Sequence, residues 1–200
     1  STSLRYHDST GRLVSSRLFG GSIPEVAWID SLFVAVGDTQ RILVSRDGKV
    51  WERVQGNGKG KLLAVAGGGP RMVAVGEGSE IFSSVDGREW TGSPLGRNDT
   101  LRALVWAGTR YVAIGNYGKI LTSPDGIAWE RQPRASWMGM AGIVWTGDEL
   151  VVAGYSRLVH TSRDGILWEA DTISGIYLQT LEWTGQVLLV VGDDGIIVTK

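Results

Sequence analysis

The chain contains no cysteine. That excludes disulfide bonds, a thiolate nucleophile and any cysteine-based zinc site. Histidine is nearly absent as well. His7 and His160 are the only two, fewer than a zinc or iron site usually recruits, and neither has a nucleophile-elbow context. No metal and no cofactor is therefore expected. No apolar run approaches the roughly 18 residues of a membrane span, so membrane insertion is not expected either. The formal net charge of -1 provides no general attraction to nucleic acid or acidic lipid. No stretch keeps a 3.6-residue hydrophobic period over about 11 residues, which argues against amphipathic helices. Proline is scarce at 5, whereas glycine reaches 29; glycine here punctuates turns without the composition of a disordered linker. The chain begins at Ser1 with neither methionine nor a signal-like segment, compatible with a mature form or a domain. A soluble protein is expected, with a secreted or periplasmic location left open.

What the chain has in excess is tryptophan, 9 in 200 residues, and the spacing explains it. The phrase SRDGKVW at 45–51 returns as SVDGREW at 84–90, SPDGIAW at 123–129 and SRDGILW at 162–168. Asp47, Asp86, Asp125 and Asp164 are separated by 39 residues each time, as are Trp51, Trp90, Trp129 and Trp168. Two further markers keep step: FVAVG, MVAVG, YVAIG, LVVAG and LLVVG, ending at Gly37, Gly76, Gly115, Gly154 and Gly192, and an apolar run closing on tryptophan at Trp28, Trp106, Trp145 and Trp183. Unit two lacks that last tryptophan. Three markers in fixed phase define a repeat.

Each unit reads as four short β-rich runs divided by Gly, Asp or Asn turns, as in LRALVW, RYVAIG, KILTS and IAWER. The spacing predicts an all-β fold, a five-bladed β-propeller of four-stranded antiparallel blades at 23–53, 62–92, 101–131, 140–170 and 178–200. The fifth unit ends after its third run. Residues 11–16, GRLVSS, stand in fourth-strand phase, and the expectation is that they complete the last blade and close a single domain over 1–200. A segment of a larger ring is the alternative.

Within the phrase, the aspartate can accept turn N–H groups, the glycine permits positive φ, and the tryptophan offers a broad apolar face. The phrase resembles a compact Asp-box, or bacterial neuraminidase repeat. It is one residue shorter than Ser-x-Asp-x-Gly-x-x-Trp, on Ser45, Asp47, Gly48 and Trp51 and their three sets of repeats. With the preceding NYGKILTSPDG and EGSEIFSSVDG it is also similar to the propellers of photosystem II assembly factors and of uncharacterised bacterial repeat proteins. The resemblance implies a β-propeller with the box at a turn away from the ligand face. It does not bring the arginine triad, Tyr–Glu pair and acid Asp of sialidases, which are not placed here.

The box residues Asp47, Asp86, Asp125 and Asp164 are accordingly read as structural, and loss of a box tryptophan is expected to cost roughly 3–5 kcal/mol. GNGKGK at 56–61 misses the phosphate-loop pattern and reads as an inter-blade loop. Asp193-Asp194-Gly195 reads as a turn. The turns between second and third strands, and the loops between blades, vary from unit to unit and share the face opposite the box. On that face Tyr117, Tyr155, Tyr177 and Trp137, with Arg134 and Met138, are the candidate contacts for a ligand or partner. Arg102, Gln179 and Glu25 are polar candidates for the central channel. The expected function is a non-enzymatic, monomeric module that binds a protein partner, with a carbohydrate-binding propeller as the alternative and a glycoside hydrolase third.

Overall fold

The computed structural model describes residues 4–7, 13–16, 21–55, 60–94, 100–134, 140–154, 158–172, 178–193 and 197–199. A hairpin of β1 (Leu4–His7) and β2 (Leu13–Ser16) comes first. Sheet one is β3 (Glu25–Ile29), β4 (Leu32–Gly37), β5 (Arg41–Ser45) and β6 (Glu52–Gln55). Sheet two is β7 (Leu62–Ala66), β8 (Met72–Gly76), β9 (Glu80–Ser84) and β10 (Thr91–Pro94). Sheet three is β11 (Leu101–Trp106), β12 (Tyr111–Gly115), β13 (Ile120–Ser123) and β14 (Glu130–Arg131). Sheet four is β15 (Met140–Trp145), β16 (Leu150–Gly154), β17 (Leu158–Ser162) and β18 (Glu169–Thr172). Sheet five has β19 (Leu178–Trp183), β20 (Leu188–Gly192) and β21 (Ile197–Thr199). Each sheet is an antiparallel meander in chain order, and the five are the blades of a β-propeller, as the 39-residue period predicts. Within the described pairings β2 lies beside β1, in the register Leu13 to His7 and Ser16 to Leu4.

The second strands are apolar throughout, and those of sheets two to four are buried along their whole length because they are covered on both faces. Val34, Val73, Val112 and Val152 have no exposed surface. Among the described residues four cores lie between successive sheets. Ile42, Val65 and Met72 belong to the first, Val73, Leu104 and Tyr111 to the second, Ile114, Ile143 and Leu150 to the third, and Val151, Leu181 and Val190 to the fourth. A one-residue bulge opens the first strand of sheets two to five, after Leu62, Leu101, Met140 and Leu178. It sets Arg102 and Gln179 outside the ladder, where both are exposed.

Across the second and fourth cores a large residue of one sheet covers a small residue of the sheet before it. Trp106 of sheet three lies on the Gly68–Gly69 turn of sheet two. A Cβ built on Gly68 falls 3.2 Å from the indole, and one on Gly69 falls 2.5 Å from it. Leu181 of sheet five covers Gly142 of sheet four, 2.6 Å from its built Cβ. Unit two breaks the tryptophan pattern because the sizes are exchanged there: Ile29 of sheet one fills the space, and a Cβ on Gly67 would come within 2.0 Å of its Cγ2. The missing tryptophan is therefore compensated from the neighbouring blade.

Candidate functional site

The repeated phrase forms a closed hydrogen-bonded turn. In the first copy the Ser45 hydroxyl donates to Asp47 Oδ1 at 3.1 Å and accepts the Gly48 N–H at 2.9 Å. The N–H groups of Lys49 and Val50 donate to the same carboxylate oxygen at 2.8 and 2.9 Å. The other three copies repeat this, with Asp86, Asp125 and Asp164 each accepting two backbone N–H groups. Those donors hold all four carboxyls below the usual aspartate range. The indole N–H of Trp51 and Trp90 donates to the carbonyl of its own box glycine, at 3.0 and 2.9 Å. Those of Trp129 and Trp168 are buried without an acceptor.

The box glycine has a second duty beyond its positive φ of +71 to +76°. In sheets three and four it abuts the previous blade: a Cβ on Gly126 would lie 2.7 Å from Val73, and one on Gly165 2.9 Å from Val112. The turn is thus a joint between blades, and its carboxylate is engaged within the turn.

The opposite end of each sheet is built differently. There the turn after the second strand is tied to the chain entering the first strand. The N–H groups of Asp38, Glu77 and Asn116 donate to the carbonyls of Ser22, Lys61 and Thr100, at 3.2, 2.9 and 3.1 Å. The backbone brace repeats every 39 residues, but the side chains on it do not. Asp38 accepts the Ser22 N–H at 2.6 Å and pairs with Lys61 at 3.3 Å, which holds its carboxyl below the usual range. Arg102 donates to Asn116 at 2.6 Å, and Gln179 to Asp193 at 2.5 Å. These two channel candidates therefore anchor the variable turns. Glu25 serves differently. Its Oε2 accepts the Val65 N–H at 2.7 Å, tying sheet one to sheet two, and burial raises its pKa.

Tyr117 stands at the centre of the third such turn. It is 67% exposed, and its backbone is left-handed, with φ 58° and ψ 35°. Sheet two has Gly78 at the same place, and sheet one has Thr39 in the same conformation, at φ 58° and ψ 40°. A bulky residue is uncommon in that region and costs of order 1 kcal/mol or more. Arg134 is exposed on the segment after β14. Trp137, Met138, Tyr155 and Tyr177 lie outside the described residues.

Two adjoining open clefts, of about 330 and 220 Å3, lie on the other face, between sheets one and two. Leu32, Arg46 and Arg88 line both, with Asp30, Met72 and Asp86 in the larger. Arg88 is engaged by Glu52 at 2.9 Å. Asp86 is a box residue, and Arg46 and Arg88 stand at variable positions of the repeated phrase; only their place in the hairpin turns of neighbouring units could have indicated them as a lining.

His160 in β17 is buried, its Nε2 has no partner, and desolvation lowers its pKa. Leu43, Phe82 and Leu121 hold its phase in the other sheets. A lowered imidazole pKa means that the unfolded chain takes the proton first. Stability therefore falls as pH drops through the unfolded value of 6.5. The box aspartates add a second loss once pH falls below their unfolded value of 3.8. Glu25 opposes both, since its raised pKa favours the folded state most in acid. His160→Leu is expected to remove the first loss and raise the melting temperature at pH 5.5 more than at pH 8. Equal gains at both values would exclude titration of His160 as the cause.

Among the described residues no cluster of acidic residues and histidines is placed to hold a metal ion, and no helix is long and apolar enough to cross a membrane.

No protein-family model matches the chain, and no curated protein does. The Asp-box resemblance thus stands on the motif residues. Solved structures do match. YCF48 bound to D1 peptide is 21% identical, with a TM-score of 0.72, over 90% of this chain and 63% of that one. The Myceliophteria thermophila Cps50 (Swd1) β-propeller domain is 13% identical, with a TM-score of 0.72, over 91% and 65%. YCF48 from Cyanidioschyzon merolae is 16% identical, with a TM-score of 0.67, over 96% and 74%. These likenesses are to the β-propeller fold. The chain spans less than two thirds of the length of the first two.

Proposed function

We propose that this chain is a non-enzymatic recognition module that binds a protein segment through the face carrying its variable turns. The observation that carries this reading is Tyr117. It is a large exposed aromatic held in a left-handed turn where sheet two uses glycine. Thr39 takes the same conformation in sheet one, so the large exposed ring, with no burial to explain it, is what sets Tyr117 apart. A propeller of the same fold has been solved as YCF48 bound to D1 peptide, which supports a peptide as the class of ligand. Arg134, Trp137, Met138, Tyr155 and Tyr177 belong to the same proposed surface, and the varied partners of Asp38, Asn116 and Asp193 suit one asymmetric site over five equal ones. A single domain, closed by residues 11–16, remains part of this proposal.

Tyr117→Gly separates the roles. The variant is expected to melt at or above the parent temperature, by the equivalent of up to about 1 kcal/mol, because the strain is relieved. It is expected to lose binding to peptides selected on the parent chain by about tenfold or more. A melting point lowered by several degrees with binding unchanged would make Tyr117 a packing residue and remove the site. A glycan array is the check on the carbohydrate alternative: saturable sugar binding lost in Trp137→Ala and Tyr177→Ala would favour it.

A further inference from the structure

The larger of the two clefts between sheets one and two is lined by four charged residues, Asp30, Arg46, Asp86 and Arg88. Two of them are already committed. Arg88 donates to Glu52 at 2.9 Å. Asp86 Oδ1 accepts the N–H groups of Arg88 and Glu89 and the Ser84 hydroxyl. The other two are not. Among the described residues the side chains of Asp30 and Arg46 make no hydrogen bond and no ion pair, either with each other or with a third group. One cleft thus holds a free carboxylate and a free guanidinium apart.

The repeat does not account for either charge. Asp30 stands where the other four units have Gly69, Gly108, Gly147 and Gly185. Its turn keeps the left-handed backbone that glycine takes at least cost, with Asp30 at φ 48° and Ser31 at φ 64°. Arg46 stands where the next two units have Val85 and Pro124. Unit four repeats the arginine, as Arg163, but combines it with Gly147, so unit one alone carries both charges. A blade joint has to recur from unit to unit, and this pair does not.

Apolar side chains complete the lining. Leu32 and Met72 are buried, whereas Val85 is 67% exposed. Leu32 and Arg46 also line the smaller cleft, where Val50 is 75% exposed. Volumes of about 330 and 220 Å3 lie at and below the low end of the roughly 300–1,000 Å3 of ligand pockets. That space suits one or two amino-acid residues and is too small for a folded partner.

We propose that the two adjoining clefts form a binding site for a zwitterionic dipeptide with apolar side chains. Its ammonium group donates to Asp30 in the larger cleft. Its carboxylate takes the Arg46 guanidinium, which lines both clefts and offers paired N–H donors. Its side chains lie against Val85 and Val50. A ligand with one charge leaves Asp30 or Arg46 without a partner, so the site selects for both charges together. Asp30 and Arg46 are open to solvent, which keeps the affinity modest, at a Kd of about 0.1–1 mM. The site is on the face opposite Tyr117 and does not rest on the reading of the variable turns.

Methionine methyl NMR on the full chain is the test. Met72 lines the larger cleft, Met140 is buried in the third core, and Met72→Leu identifies the Met72 signal. Leucyl-leucine is expected to move the Met72 signal saturably and to leave that of Met140 in place. N-acetyl-leucyl-leucine and leucyl-leucinamide each lack one charge and are expected to bind about tenfold more weakly. Asp30→Gly and Arg46→Val install residues that other units use at these positions, so both are expected to melt at or near the parent temperature. Asp30→Gly is expected to erase the preference for a free amine and keep that for a free carboxylate, and Arg46→Val to do the reverse. Tyr117→Gly is expected to change neither, which separates this site from the one on the variable face. No saturable movement with leucyl-leucine, valyl-valine or alanyl-leucine, at about tenfold above the expected Kd, overturns the proposal. So does equal binding of the blocked peptides, or binding that is equal in the parent, Asp30→Gly and Arg46→Val. Free leucine binding as tightly as leucyl-leucine would remove the smaller cleft from the site and overturn the dipeptide as its ligand.

Discussion

Tyr111→Ala is expected to cost about 3–5 kcal/mol of stability, a fall in melting temperature of roughly 6–20 °C for a chain of this size. Tyr111 is among the largest completely buried side chains. Its ring meets Trp106 at 4.7 Å and Trp129 at 6.4 Å, and it sits against the box glycine Gly126. Its hydroxyl reaches the previous blade, donating to the Arg71 carbonyl and accepting the Arg71 N–H at 3.2 Å. Truncation therefore opens a cavity between sheets two and three and strands a backbone pair at once. Tyr111→Phe separates these parts: it keeps the ring and is expected to cost about 1–3 kcal/mol for the unpaired groups. A melting temperature unchanged in Tyr111→Ala would show that the second core does not hold these blades together. Trp129→Ala is expected to cost less than Tyr111→Ala, since Trp129 is only half-buried and its indole N–H has no acceptor to lose.

Gly67→Trp, which would restore the repeat pattern, is expected to destabilise by about 3 kcal/mol, because the site is already filled. Ile29 is 5% exposed and its Cγ2 lies 2.0 Å from where a Cβ would be. Ile29→Ala alone is expected to cost about 2–5 kcal/mol through the cavity it leaves. The two together recreate the small-under-tryptophan arrangement of Ala107 and Trp145. Their combined cost is expected to fall below the sum of the single costs by about 1–3 kcal/mol. Urea denaturation of the four proteins measures the coupling, and strict additivity would mean that Ile29 and Gly67 do not exchange volume.

The proposed binding face and the blade joints differ in how far sequence reveals them. The joints were legible because a joint must be repeated: Ser, Asp, Gly and Trp recur at 39-residue spacing, and the hydrogen bonds recur with them. A binding face gains nothing from repetition, so its candidates could be named only as exposed aromatics in variable turns. Of these, Tyr117 is distinguished by its exposure, which the sequence alone does not give. The clefts beside Arg46 and Arg88 were not legible, because they are formed between turns of two units that no single-unit pattern relates.

The sequence by itself determined the strands, their order and the number of units. Period-two runs and turn residues are local, and a repeat states its own boundaries. It also determined that the box would be a turn, since Asp-Gly in that context has few other conformations. Only the tertiary structure decided which residues of one blade lie over which residues of the next. The exchange of Ile29 for a tryptophan and the second contact of the box glycines both arise between units. They depend on distances across a packed interface, where one methyl group decides the fit, and chain spacing does not encode those distances.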